Sequence, residues 1–191
     1  SKELSGTYQS AVLNANKIDQ EKIHIVDTLN TTFGLGLLLV IAADFRDKGF
    51  SAKMIKEKIE ELVPRVSLFA VIDTLKYLKM GGRLSAGAAL VAGILGIFPI
   101  ISVQDGKVCA IGKARGNQAC YKFIDNKIET IGISADYPIS IGHSNSPDTL
   151  KSGEKHFSNV LAKKQIYKTS IGPVVGSHIG AGAFGIAFIK K

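Results

Sequence analysis

Along the chain the apolar positions change period several times, and the changes mark out a mixed α/β protein. Ser5 to Asn16 has helical spacing, with Ser5 as N-cap and Gly6 just inside. Ile23 to Asp27 (IHIVD) predicts a short strand. Thr31 to Lys48 predicts a helix whose run Leu35 to Ala43 is apolar nearly all round, hence deeply buried. Ser51 caps the next helix, which carries Ile55, Ile59 and Leu62 on one face and ends at Pro64. This alternation predicts part of a doubly wound α/β layer.

After Pro64 the pattern changes. Ser67 to Ile72 reads as a strand, and Asp73 to Met80 as a short helix stopped by Gly81-Gly82. Ile100 to Val103 and Val108 to Ile111 flank the pair Asp105-Gly106, a strong hairpin signal. Asn117 is expected to cap a helix reaching about Ile128. Ile139 to His143 predicts a strand, and Ser146-Pro147 opens another helix with Pro at its first position. Strands near Gln165 to Ser170 and Ala183 to Ile189 follow; Thr169 to Ile189, with five glycines, Pro173 and His178, reads as loop and strand. The expected division is an α/β remainder over residues 1–65 and an α+β domain over residues 66–191. The opening, Ser1 to Tyr8, enters a helix with no strand before it, which predicts that N-terminal sequence is missing ahead of it.

Composition narrows the class. With 46% hydrophobic and 21% charged residues in 191, the chain is globular. The apolar run Ala86 to Ile101 has 16 residues, about 24 Å of helix against roughly 30 Å of hydrocarbon, and Pro99 breaks its end. The net charge of +8 comes from lysines spread from Lys2 to Lys191, with no Trp to stack on bases. That argues for a diffuse positive surface rather than a nucleic-acid site, or for steering toward an anionic ligand or lipid surface. Two cysteines, Cys109 and Cys120, predict no disulfide framework and a reducing, cytoplasmic setting; no Cys/His spacing suits a metal.

Several motifs carry candidate chemistry. Gly180 to Gly185 matches G-x-G-x-x-G, but only six residues follow, too few for a βαβ unit, so a glycine-rich turn is expected. No phosphate-loop signature occurs. His24, His143 and His156 read as structural or solvated. His178, between Gly176 and Gly180, reads either that way or as a donor to an oxyanion. Ser1, Ser5, Gly6 and Thr7 gather hydroxyls and free amides at a helix start, which is either simple capping or an anion site. Arg83 leads from Gly81-Gly82 into the apolar run. No catalytic set emerges. Anion donors beside long apolar stretches point to an amphiphilic anion. The competing readings are a self-contained phosphotransferase or hydrolase acting on a small anionic substrate, and a basic nucleic-acid or anionic-membrane binder.

Four blocks, in order, resemble one known family. Ser1 to Ala11 (SKELSGTYQSA), Phe69 to Ser85 (FAVIDTLKYLKMGGRLS), Pro99 to Arg115 (PIISVQDGKVCAIGKAR) and Gly172 to Gly185 (GPVVGSHIGAGAFG) are similar to the conserved blocks of the DegV family. The resemblance implies a two-domain DegV-like α/β fold that binds a long-chain fatty acid, its carboxylate held between the domains and its tail in an apolar tunnel. It implies that Ser5, Gly6 and His178 hold the carboxylate, with Ser1 as a companion to Ser5, and that Arg83 lies close to the head group. Arg115 would handle phosphate or engage a separate ATP-dependent kinase subunit, with no cofactor, no metal and at most transient contact with a membrane surface. Ala181 stands where the family has Pro and Thr28 where it has Ser, and the family's "TSQPS" loop has no counterpart in this sequence.

Overall fold

The computed structural model describes residues 1–85, 95–162 and 164–191. Residues 86–94 of the apolar run lie outside the described residues, and its end is strand. Eight helices and a six-stranded sheet are described: α1 Thr7–Ile18, α2 Thr32–Asp47, α3 Ala52–Leu62, β1 Val66–Val71, α4 Lys76–Met80, β2 Ile97–Gln104, β3 Lys107–Arg115, α5 Gly116–Ile131, β4 Ile139–His143, α6 Pro147–His156, α7 Ser158–Leu161, β5 Ile166–Ser170, α8 Pro173–Ile179 and β6 Phe184–Ile189. The strand order is β3-β2-β1-β6-β4-β5. Among the described strand pairs only β4–β5 is parallel.

Strand alternation divides the core in two. Phe69 and Val71 of β1, with Phe184, Ile186 and Phe188 of β6, face α5 and α6. There Tyr121 packs its ring against Phe157 and Phe184 at 5.6 and 5.4 Å between centroids. Fully burying side chains of this size contributes about 1.5–3 kcal/mol each, so this side is solid and strongly stabilising. Leu68 and Ala70 of β1 and Ala187 of β6 face the other way, toward α2. On that side the packing is incomplete.

The hairpin forms as its turn pair predicts, with Asp105 at φ 47° and Gly106 at φ 79° and Gln104 paired to Lys107. Ser51 caps α3, its Oγ accepting the Met54 N–H at 3.3 Å, and Ser146-Pro147 opens α6. Four local expectations are corrected. Ile23 to Asp27 forms no strand among the described residues, because no neighbouring strand offers it a ladder. The N-cap of α1 is Gly6 rather than Ser5, because the first helical hydrogen bond runs from the Ser10 N–H to the Gly6 carbonyl at 3.0 Å. α5 starts directly after β3, since Gly116 at φ 76° makes the corner, leaving Asn117 inside the helix. Finally, Pro173 to Ile179 is a helix, with Pro173 in its first turn, where loop was expected.

The candidate functional site

On the α2 side of the sheet lies a cavity of about 470 Å³, within the usual range of roughly 300–1,000 Å³ for small-molecule sites. Its floor is sheet: Leu68 and Ala70 of β1, Ile101 and Val103 of β2 and Val108 of β3. α8 contributes Val174, Val175, His178 and Ile179, and α2 contributes Phe33 and Leu35. The polar side chains gather on the remaining wall, from the segments Ser1–Thr7 and Asp27–Thr32 and from Arg83. The result is an oily chamber with a polar margin.

Three of the expected head-group residues, Ser5, Arg83 and His178, line this one cavity although they are far apart in sequence. Ser5 is held ahead of α1, its Oγ accepting the Thr7 N–H at 3.2 Å and lying 2.8 Å from Thr7 Oγ1. Arg83 donates from Nε to the Leu4 carbonyl at 3.2 Å and from Nη1 to the Gly81 carbonyl at 2.5 Å. Its guanidinium thereby ties the end of α4 to the segment that carries Ser5. His178 sits half-buried in the last turn of α8, a helix packed against α4. A Cβ placed on Gly81 would fall 2.1 Å from His178 Nδ1 and 2.5 Å from Cε1. The backbone of Gly81 is ordinary right-handed helix, φ −78° and ψ −3°. Glycine is therefore required there for the space the imidazole occupies, not for conformation.

Of the other expected residues, Ser1 also lines the cavity, whereas Gly6 and Arg115 do not. Gly6 follows Ser5 but is not among the lining residues. Arg115 is at the far end of β3 and exposed, seven residues beyond Val108 and so about 23 Å along the strand from the cavity wall. The Ser1 hydroxyl is engaged structurally, donating to the Gly106 carbonyl at 2.8 Å and accepting the Glu3 N–H at 3.1 Å. Among the remaining histidines, His143 Nδ1 accepts the Ser146 N–H at 3.0 Å, and His156 Nε2 pairs with Asp125 Oδ2 at 2.6 Å where α6 meets α5.

The loop Asp27–Thr32 supplies a further part of the cavity wall. Asp27 Oδ1 accepts the N–H groups of Lys2 at 3.3 Å and Leu29 at 3.1 Å, so one carboxylate joins the two polar segments. Its Oδ2 is buried without a hydrogen-bond partner. Leu29 and Thr32 both have φ near +45°, a rare choice for non-glycine and costly for β-branched Thr, of the kind that clusters at functional sites. The one available sequence signal was the DT pair at Asp27-Thr28. Among the described residues no group of His, Cys, Asp and Glu is placed to hold a metal, and no helix is long and apolar enough to cross a membrane.

A family model described as "Uncharacterised protein, DegV family" matches residues 1–191. The chain belongs to the DegV family. A DegV domain-containing protein of Caldanaerobacter subterraneus is 32% identical over 189 residues, which cover 98% of this chain and 68% of that one. A solved DegV structure from Streptococcus agalactiae, described as fatty acid binding, superimposes with TM-score 0.84 at 25% identity, over all of this chain and 68% of the other. The fatty acid kinase B3 protein of Streptococcus pneumoniae, solved loaded with linoleic acid, has the same fold: TM-score 0.88 at 21% identity, over all of this chain and 69% of that one. This chain thus spans about two thirds of each of these proteins.

Proposed function

We propose that this DegV chain binds a long-chain fatty acid, with the tail in the cavity over the sheet and the carboxylate at the margin formed by Ser5, Arg83 and His178. The observation that carries the reading is the meeting of these three side chains at one apolar cavity. Apolar walls suit a hydrocarbon tail, but a carboxylate brought to their edge is costly to desolvate unless donors replace its water. A serine hydroxyl, a guanidinium and an imidazole are such donors, and hydrogen bonds to a charged group contribute about 1.5–3 kcal/mol each. Burying about 14–16 methylenes at about 0.8 kcal/mol each gives a gross gain of about 11–13 kcal/mol, part of which offsets the cost of association. The fatty acid reported in the S. pneumoniae relative and the fatty acid binding of the S. agalactiae relative support this ligand class.

The same reading gives the chain a role in acyl phosphorylation. A carboxylate held at the margin by donors on one side keeps an oxygen available to attack the γ-phosphorus of ATP on a separate kinase subunit; the bond to the β,γ-bridging oxygen breaks, ADP leaves, and that subunit would supply the nucleotide and Mg²⁺. This chain presents the substrate and retains the acyl phosphate, with Arg83 balancing the added charge. Arg115, exposed and away from the cavity, faces the kinase in this scheme.

The decisive experiment denatures the purified protein in organic solvent and identifies the released lipid by mass spectrometry. Near-stoichiometric fatty acid is expected. Ser5→Ala and His178→Ala are each expected to weaken fatty acid binding roughly 10-fold or more while leaving the thermal midpoint nearly unchanged. An empty protein that also refuses added oleate and palmitate refutes the ligand class. Full affinity in both variants refutes the head-group assignment.

A further inference from the structure

A second cavity, about 480 Å³, lies between α2, β5 and the first turn of α8. Its lining includes Gly36 and Val40 of α2, Tyr167 of β5 and Pro173 of α8. Five residues line both cavities: Thr32, Phe33, Ile171, Val174 and Val175. Among these, Phe33 presents the largest apolar side chain and is 3% exposed.

The Phe33 ring is fixed in place. A Cβ on Gly142 would fall 2.6 Å from Phe33 Cδ1, and one on Gly185 would fall 2.4 Å from Phe33 Cζ. Two glycines on the adjacent strands β4 and β6, paired directly opposite one another, thus leave a seat for the ring on the sheet. The backbone around it is equally constrained. Thr32 is held at φ 45°, and Gly34 packs so closely on Asn30 that a Cβ would meet Asn30 Oδ1 at 2.0 Å. A ring seated on two glycines, between two constrained neighbours, is a rigid wall rather than a side chain that swings aside.

We propose that Phe33 is a specificity-determining residue that sets the acyl length this chain accepts, by closing the first cavity off from the second. The inference rests on the fatty acid reading above. The tail fills the first cavity and ends against the ring. Removing the ring joins the two cavities, and the second, with Val40, Ile171, Pro173 and Val174 on its walls, covers further methylenes. Gly36 offers a means of reversal, because it lines only the second cavity and a Cβ there meets nothing within 4 Å.

The test uses the delipidated chain and a series of saturated fatty acids from about 10 to about 20 carbons, in which each methylene that finds cover raises affinity about fourfold. For the parent, affinity is expected to climb with length and then level off. In Phe33→Ala the plateau moves to longer chains, and in the double variant Phe33→Ala with Gly36→Phe it returns to the parental length. Phe33→Leu, which keeps apolar volume on the sheet, moves the plateau in the same direction by less and serves if the alanine variant fails to fold. A plateau at the parental length in a folded Phe33→Ala or Phe33→Leu overturns the partition while leaving fatty acid binding intact. A parent that binds no member of the series overturns the fatty acid reading itself.

Discussion

Replacing Gly81 with Ala tests whether a missing side chain positions His178. The new Cβ would sit 2.1 Å from His178 Nδ1, whereas carbon and nitrogen in ordinary contact are about 3.5 Å apart, so the imidazole must withdraw by about 1.4 Å. A hydrogen bond of about 2.8 Å stretched by that amount is no longer one. Losing a hydrogen bond to a charged carboxylate costs about 1.5–3 kcal/mol, or roughly 10- to 150-fold in affinity. The fold pays little, because Gly81 already has right-handed helical dihedrals that alanine adopts freely, and the smaller entropy of the unfolded chain offsets steric cost by about 0.4–1 kcal/mol. The thermal midpoint is therefore expected to stay within about 4 °C of the parent. The assay is fatty acid affinity by fluorescence competition on Gly81→Ala, His178→Ala and the double variant. If Gly81 acts through His178, the double variant binds no more weakly than His178→Ala alone. A folded Gly81→Ala that keeps affinity within about twofold refutes the reasoning, since a donor moved by more than 1 Å cannot retain its bond.

Other expectations concern the scaffold. Ser51→Ala removes the side-chain cap of α3 and should lower stability by about 1 kcal/mol, a fall of about 2–4 °C in thermal midpoint, with fatty acid affinity unchanged because α3 does not line the cavity. Cys120 is fully buried while Cys109 is only partly so, and burial pushes the Cys120 thiol up; one thiol is expected to react with an aromatic disulfide reagent in the native protein and two after denaturation. Burial likewise pushes up the phenol of Tyr121 on the same helix. Both groups are held neutral by the fold, so the stability they carry is full below the ordinary thiol and phenol values, about 8.5 and about 10, and is lost as pH rises through them. Urea unfolding midpoints measured across alkaline pH should fall, and fall less steeply in Cys120→Ala.

The elements legible in the sequence were those whose signal is local. Asp105-Gly106 dictates a hairpin whatever surrounds it, and Ser51 and Ser146-Pro147 start helices by satisfying or omitting the first amides. Ile23 to Asp27 has the apolar character of a strand, yet a strand exists only through a partner, and pairing is not written into five residues. α8 was hidden by its glycines, although Pro173 in its first turn is the same signal that was legible at Pro147. At the candidate site, Ser5, Arg83 and His178 stood out through their chemistry and the family resemblance. The roles of Gly81, Asp27 and Phe33 are spatial: one leaves room, one joins two segments, and one divides two cavities. Beyond the Asp27-Thr28 pair, such roles leave no trace in residue type or spacing.

The unequal packing of the two sides of the sheet has an evolutionary consequence. Tyr121, Phe157 and Phe184 make a dense keel on one side, and it braces the strands from the face opposite the cavity floor. Mutations among Leu68, Ala70 and Ile101 reshape the hollow from its floor without loosening that keel. A gene duplicate of such a scaffold can therefore drift toward a new cargo before it loses the ability to fold.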